Sequence, residues 1–461
     1  MKEILPKTLF FISLAVIVYA YGYFSHRLQL FPAKIFVHFE EAVNELLAKV
    51  SDELPFQYSP TSQREPLVRN RPEAMAPGLT LITRVGKDDK LLAEVLDPEG
   101  QVVHQWSLDW FDIWPNATHL AESRNPKEPP GTHIHGAILM DNGDLIFNFE
   151  QLGMARVDIH SRVVWRLPRR THHSIYQAES GNLWVPGMIT HEEPLDWLSY
   201  YLPEFDEYTI LEIEPSKGQV LREFSLFKLF QGNDLHGLLY LSSLGLHPES
   251  QGDTLHLNDV ELFPDHLTPG FFQPGDVMIS LRNINAILVF DLETGKKKFL
   301  STGPFVRQHD PDFIDGDTIS IFDNNDSAPA SSGVQSRILL QDAPSGDVSV
   351  AYQGSPEHPF FTDLLGKHEW QKNGNILITD SRNGRVFEVD PDGEILWEYY
   401  NIIEDGVVGL VETAHRLPER FSADFFEQAR SQSTRLNGAD DSDGAALFDN
   451  TGADNLEAAI P

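Results

Sequence analysis

The chain has 461 residues, 41% of them hydrophobic and 11% aromatic, which suffices for a sizeable core and excludes a wholly disordered chain. Its 35 basic and 69 acidic residues leave a formal charge of -34, a surface that repels phosphate backbones and anionic lipid heads, so nucleic acid is not an expected partner. With 0 cysteines, disulfides, thiolate zinc sites and cysteine nucleophiles are excluded, and any chemistry falls to His, Arg, Asp, Glu, Ser or Tyr.

In chain order, the stretch from Thr8 to His26 carries no formal charge between Lys7 and Arg27 and is just long enough to cross a thinned bilayer. Residues 1–27 therefore read as an N-terminal transmembrane anchor, with the main domain exported to the periplasmic side. Val18-Tyr19-Ala20 also has the small-residue spacing of a signal-peptidase site, and a cleaved segment would leave the domain secreted or periplasmic. Residues 28–77 read as an amphipathic helix and a linker. Ile35, Phe36, Phe39, Val43 and Leu46 fall at helical spacing opposite Glu40, Glu41 and Glu45, and the region from Ser51 to Pro77 is rich in Pro, Ser, Gln and Arg.

Residues 78–403 carry a double repeat. A strand ending in an acidic residue, a turn and a second strand recur at Leu96-Asp97, Val157-Asp158, Ile213-Glu214, Phe290-Asp291, Leu340-Gln341-Asp342 and Val389-Asp390, several copies ending on an aromatic such as Trp106, Trp165 or Trp397. A glycine turn followed by a β-rich run precedes five of them, at Gly143, Gly181, Gly275, Gly316 and Gly374. Each unit is thus about four short antiparallel strands. The expected fold is all-β, a six-bladed β-propeller with an N-terminal membrane-anchor helix, because six sheets set radially bury their faces on one another and leave only short edges. Residues 404–430 read as a C-terminal helical extension with patches around Val411 and Phe425, and 431–461 as a disordered acidic tail.

Histidines fall at one register of this repeat. His135, His173, His309 and His368 sit six to eight positions before the turn glycine of their units, and His256 precedes Gly275 through a longer insertion. The innermost strand of a blade lines the central channel, so these side chains converge on one funnel. The alternative is a set of core histidines that tie strands together. Glu192 to Tyr208, rich in Trp and Tyr, reads either as an aromatic wall over the funnel or as packing between loops. Asp323-Asn324-Asn325-Asp326 reads as a turn shaping the funnel mouth.

The local sequence around the histidines is distinctive. His256-Leu257-Asn258, Ser280-Leu281-Arg282-Asn283, Gln308-His309 and Ile321-Phe322-Asp323-Asn324 occur in that order, with His172-His173 upstream. In this the chain resembles the bacterial arylsulfotransferases, which take the sulfuryl group from an aryl sulfate rather than from a nucleotide. The resemblance implies a six-bladed propeller and ping-pong transfer to a phenolic or other hydroxyl acceptor through a sulfohistidine. It further implies His309 as nucleophile, Arg282 and His256 as holders of the sulfuryl oxygens, Asn258 orienting His256 or the substrate, and His172 or His173 touching the same group. Neither cofactor nor metal is implied. The family's N-terminal β-sandwich has no counterpart in the residues before the propeller, so dimerisation does not carry over. Asp310, directly after the nucleophile, would either orient His309 or oppose its attack on an anion.

Two other classes stand beside this one. Clustered histidines with Asp310, Asp312 and Glu369 are a donor set for a divalent metal in a propeller hydrolase or lyase, against which Arg282 would repel the cation. A membrane-tethered propeller acting only as a binding scaffold is the non-enzymatic alternative.

Overall fold

The computed structural model describes residues 4–27, 54–241 and 250–437. The chain divides into two compact units, Met1–Pro55 and Phe56–Pro461. In the first, an α-helix runs Ile4–Arg27. Among the described residues no helix is long and apolar enough to cross a membrane, so the expected anchor at 1–27 does not carry over to the structure. The charge of Lys7 and Arg27 leaves only 8–26 between them, about 28 Å of helix against a hydrocarbon core of about 30 Å. The amphipathic helix expected at 33–50 and most of the expected tail lie outside the described residues.

The second unit is all-β, dominated by six antiparallel sheets of four main strands each. Sheet 1 comprises Thr80–Val85, Leu91–Leu96 and Val102–Ser107, joined by Val411–Arg416 from the far end of the chain. Sheet 2 holds Ile134–Leu139, Leu145–Phe149, Gly153–Val157 and Val163–Leu167. Sheet 3 holds Tyr176–Gln177, Leu183–His191, Tyr201–Glu214 and Gln219–Ser225. Sheet 4 runs Leu257–Leu262, Asp276–Leu281, Ala286–Asp291 and Lys297–Ser301. Sheet 5 runs His309–Phe313, Thr318–Asp323, Arg337–Asp342 and Val348–Gln353. Sheet 6 runs Lys367–Trp370, Ile376–Asp380, Arg385–Val389 and Ile395–Tyr400. The central strands are apolar on both sides because both faces are covered: every residue of Leu91–Leu96 and of Leu145–Phe149 is buried. Some fourth strands alternate, as in Val102–Ser107, where His104 and Trp106 are buried and Gln105 and Ser107 exposed; that of sheet 6, Ile395–Tyr400, is buried almost throughout because Leu67–Asn70 covers its edge.

Apolar layers fill the space between consecutive sheets. Leu81, Trp106 and Phe147 join sheets 1 and 2; Ile146, Trp165 and Leu211 join sheets 2 and 3; Trp184, Ile210 and Leu288 join sheets 3 and 4. Met278, Ile319 and Leu339 continue to sheet 5, and Ile338, Tyr352 and Phe387 to sheet 6. Leu377, Val386 and Trp397 of sheet 6 then pack on Ile82, Leu96 and Ala414 of sheet 1. The aromatics that end the fourth strands also donate across these boundaries. Trp106 Nε1 bonds the Asp158 carbonyl at 3.1 Å, Trp165 Nε1 the Pro215 carbonyl at 2.9 Å and Trp397 Nε1 the Pro98 carbonyl at 3.0 Å. Each indole is thus buried with its one donor satisfied, at an upper estimate of about 4–6 kcal/mol from its 150–250 Å².

Several boundaries differ from the sequence reading. Val411–Arg416, expected in a helical extension, is a strand paired antiparallel with Thr80–Val85. Its β-branched residues at 411 and 413 suit a strand once a partner is present. Arg416 anchors it through Glu388, Nη2 to Oε2 at 2.6 Å. The linker reading of 51–77 also gives way. Tyr58–Pro60 pairs with Val407–Gly409, and Leu67–Asn70 adds to the outer edge of sheet 6. The last helix, Ala423–Asn437, extends past the expected limit, and its Phe426 stacks on His104 at 5.2 Å. Four of the five turn glycines have positive φ, as expected, but Gly316 does not. At Gly316 the backbone of Gly270 comes too close for any Cβ.

Candidate active site

The register histidines stand at or just before the starts of the first strands of their sheets. His135 lies in Ile134–Leu139, His309 opens His309–Phe313, and His256 immediately precedes Leu257–Leu262. His173 and His256 adopt left-handed backbone, each at φ 54, as do Arg307 at φ 57 and Asp310 at φ 48. Such conformations are strained for side chains other than glycine, and here they cluster where the inner strands start. Gly136 supplies the complementary concession, since a Cβ there would collide with the His173 carbonyl.

His135, His173, Asn258 and His309 line one narrow cavity with Asp310, Leu365, Gly366, Lys367 and Glu412. The rings pack closely: His135 to His173 at 3.6 Å, His173 to His256 at 4.9 Å and His173 to His309 at 5.8 Å between centroids. His256 is therefore edge-on behind His173. Of the two adjacent histidines, His173 faces the cavity, while His172 backs it, with its Nδ1 2.7 Å from His173 Nδ1.

Hydrogen bonds fix most tautomers. His309 Nδ1 lies 2.7 Å from Asn324 Oδ1 and 3.1 Å from the Arg307 carbonyl. Asn324 Nδ2 donates to the carbonyls of Thr362 and Leu365 at 2.9 and 2.8 Å. The amide orientation is thereby set, its oxygen is an acceptor, and His309 carries its proton on Nδ1. Its Nε2 is left as a bare lone pair, buried and without a hydrogen-bond partner. His256 Nδ1 is held by Asp253 Oδ2 at 2.5 Å, and the other oxygen of Asp253 accepts from the Tyr208 hydroxyl at 2.7 Å. His135 Nδ1 is held in the same way by Glu150. One ring of the His172–His173 pair must accept through Nδ1, so, being neutral, it presents an Nε2–H.

Electrostatics follows from burial. His309 is driven well below the ordinary imidazole range by burial and then by the Arg282 guanidinium, so it is neutral and nucleophilic at neutral pH. His172 is pushed down to about 3 and His173 well down, both chiefly by burial. His256 is lowered by burial, against the pull of Asp253. Burial also works against the Asp253 charge, but the hydrogen bond from His256 prevails and brings the carboxyl to about 2. Arg282 opens the short turn that follows Asp276–Leu281. Its Nε bonds Asn283 Oδ1 at 3.2 Å, its backbone N–H bonds the His256 carbonyl at 3.0 Å, and its charge reaches both His256 and His309.

Asn258 Nδ2 bonds the Gln308 carbonyl at 2.7 Å, fixing the strand before His309, and its Oδ1 is buried without a partner. Asp310 does not touch the His309 ring nitrogens. It takes the His368 backbone N–H at 2.6 Å and Lys367 Nζ at 3.3 Å. Burial opposes its charge, yet Lys367 and His368 hold it below the usual carboxylate range. His368 groups with Asp310 and Asp312, and these two carboxylates line a neighbouring acidic chamber with Asp259 and Glu261 that shares Asp310 and Lys367 with the first cavity. Burial and then Asp310 raise Asp259 to about 7 and Asp312 well up. Glu369, named with that group in the metal reading, turns instead to the Arg416 backbone N–H at 3.0 Å. In the aromatic block Tyr201, Phe205 and Tyr208 are core residues of sheet 3, with Tyr208 reaching the site through Asp253, whereas Trp197 and Tyr200 are exposed.

The sequence marked Tyr208 only as part of the aromatic block and Asn324 only as part of a motif and turn, and it gave no role to Glu150, Asp253, Lys367 or Glu412. Asp253 lies three residues before His256, and the other three are brought in by the folding of distant strands.

An all-β chain whose inner strands present a bare imidazole nitrogen beside a guanidinium and further imidazoles has the equipment of a group-transfer enzyme acting on an anion. A family model described as Arylsulfotransferase (ASST) matches residues 136–402, and the chain belongs to that family. No curated protein matches the chain. Among solved structures, a protein of unknown function from Bacteroides caccae is 12% identical, covers 73% of this chain and 98% of its own, and gives a TM-score of 0.44. Selenomethionine-substituted virginiamycin B lyase from Staphylococcus aureus is 12% identical over 59% of this chain and 71% of its own, with a TM-score of 0.33. The β-propeller domain of Swd1 from Myceliophteria thermophila is 6% identical over 75% and 90%, with a TM-score of 0.38. Likenesses at that level say nothing of this chain's activity.

Proposed function

We propose that the protein is a six-bladed β-propeller sulfotransferase that moves a sulfuryl group from an aryl sulfate to a phenolic or other hydroxyl acceptor through a sulfohistidine at His309. The propeller reading is supported by the packing of sheet 6 on sheet 1 and by the completion of sheet 1 with Val411–Arg416. The observation that carries the chemistry is His309 Nε2: unprotonated, buried and free of partners, with its Nδ1 proton committed to Asn324.

In the first half-reaction the Nε2 lone pair attacks sulfur, the S–O bond to the aryl group breaks, and the electron pair leaves with the phenolate. His256, its Nδ1–H held by Asp253, is placed to supply a proton from Nε2 to that phenolate when protonated. Negative charge spreads over the three equatorial oxygens in the transition state, where the Arg282 charge and an Nε2–H of the His172–His173 pair stabilise it. In the second half the acceptor hydroxyl attacks sulfur, its proton passes to the now neutral His256, the N–S bond breaks, and His309 Nε2 regains its lone pair. Two displacements through a covalent intermediate replace one harder step.

The test is incubation with 4-nitrophenyl sulfate and a panel of phenols. Nitrophenol released in proportion to added acceptor, with the sulfated acceptor formed in equal amount, supports transfer. Release at the same rate without any acceptor would make the enzyme a sulfatase, and no release with any donor would leave a binding module.

A further inference from the structure

We propose that His133, His135 and Glu412 form a binding site for one divalent cation of the zinc type, in the wall of the cavity that holds His309. This goes beyond sulfuryl transfer and does not rest on it. Two neighbouring inner strands bring the donors together: His135 stands on Ile134–Leu139, with His133 just before it, and Glu412 on Val411–Arg416. One ligand atom of each lies within 4.8 Å of the other two. His133 Nδ1 is 2.7 Å from Glu412 Oε1, and His135 Nε2 is 4.0 Å from Glu412 Oε2.

Two features distinguish this group from an ordinary ion pair. First, His135 Nε2 and Glu412 Oε2 are both buried without a hydrogen-bond partner, and each residue is only 4% exposed. A buried, unsatisfied carboxylate oxygen is costly to leave in place, and a cation between it and an imidazole lone pair removes both deficits. Second, His135 Nδ1 is committed to Glu150, which turns the Nε2 lone pair inward. A carboxylate behind a metal-ligating imidazole is the usual outer partner that fixes ring orientation and raises basicity.

Two imidazoles and one carboxylate are a zinc donor set that leaves a fourth position open. Zinc bonds of about 2.1 Å space tetrahedral ligands roughly 3.4 Å apart, so the 2.7 Å pair must open and the 4.0 Å pair close, each by less than about an ångström. The charge also balances, since Glu412 and Glu150 offset a divalent ion. His173, whose Nε2 is buried and unpartnered, forms a second such group with His135 and Glu150, its ring 3.6 Å from that of His135.

The experiment uses the full chain without a histidine tag, stripped with chelator, and titrated with Zn²⁺ by calorimetry and with Co²⁺ by visible absorption. The expected result is one site per chain, with the intense Co²⁺ bands of low-coordinate nitrogen and oxygen ligation. Glu412→Gln is expected to abolish that site and Glu150→Gln to weaken it about 10- to 100-fold. His309→Ala is expected to bind as the wild type does. Circular dichroism confirms that each variant is folded, and His133→Asn, on the least buried of the ligands, serves if Glu412→Gln is not. The proposal is overturned by absence of stoichiometric binding, or by binding that survives Glu412→Gln and His133→Asn but is lost in Asp312→Asn, which would put the ion in the acidic chamber.

Discussion

Replacing Asn324 by Ala tests the tautomer of His309, on which the nucleophile depends. Its amide is oriented by two donated bonds, to Thr362 O at 2.9 Å and Leu365 O at 2.8 Å, and so its oxygen must accept from His309 Nδ1 at 2.7 Å. A neutral hydrogen bond of that kind contributes about 1–1.5 kcal/mol, a factor of roughly 5–10 in the ratio of the two neutral tautomers. The Arg307 carbonyl, at 3.1 Å from the same nitrogen, remains in the variant and limits the loss. We therefore expect kcat to fall about 5- to 10-fold, and stability to fall by about 2–4 kcal/mol as two buried carbonyls lose their donor. Asn324→Asp separates the two effects, since it keeps an acceptor on Nδ1 but adds a charge. Burial and Arg282 hold His309 well below the ordinary imidazole range in the wild type, so its neutral form persists to low pH. The new carboxylate raises that value, and activity should then decline on acidification from a higher pH than in the wild type. The assay is aryl-sulfate-dependent transfer from roughly pH 5 to 9, with thermal melting alongside. A folded Asn324→Ala with wild-type kcat and an unmoved pH profile would refute the tautomer argument.

Arg282→Ala should lower kcat/KM about 10²- to 10³-fold by removing a fixed charge from the transition state, with Arg282→Lys recovering only part, as steady-state kinetics on one donor will show. Asp253→Asn leaves His256 without its carboxylate, lowers the imidazole further and should cost on the order of 10²-fold, most with the least acidic phenol as leaving group; equal losses across a leaving-group series would remove His256 as the proton donor. Arg416→Ala breaks a pair whose side chains are 3% and 0% exposed and should cost about 3–5 kcal/mol in urea denaturation, because Glu388 is left buried and charged at the seam where sheet 1 is completed.

The sheets were legible where a turn glycine and a β-rich run coincide in a short segment, as at Gly143 and Gly374. The histidine register was legible for the same reason, because a repeat keeps equivalent positions equivalent. Val411–Arg416 was not, because its strand character depends on a partner more than 300 residues earlier in sequence. The site divided along the same line. His309, His256, Arg282 and Asn258 sit in local motifs; His309 and Asn258 line one cavity with His173, and the His256 ring packs on His173. Glu150 and Glu412 enter only through the folding of distant strands, with nothing local to mark them. The role of Asn324 needed the carbonyls of Thr362 and Leu365, about 40 residues further on, to orient its amide.

The central claim is a covalent bond between sulfur and His309 Nε2. The most direct test is mass spectrometry of the intact chain and its peptides after brief exposure to 4-nitrophenyl sulfate without acceptor, under neutral to alkaline handling. The account predicts one added SO₃ on the peptide containing His309, lost on acidification or on adding a phenol, and absent from His309→Ala. Label on another residue, or turnover by the wild type with no label trapped while His309→Ala turns over equally fast, would contradict it.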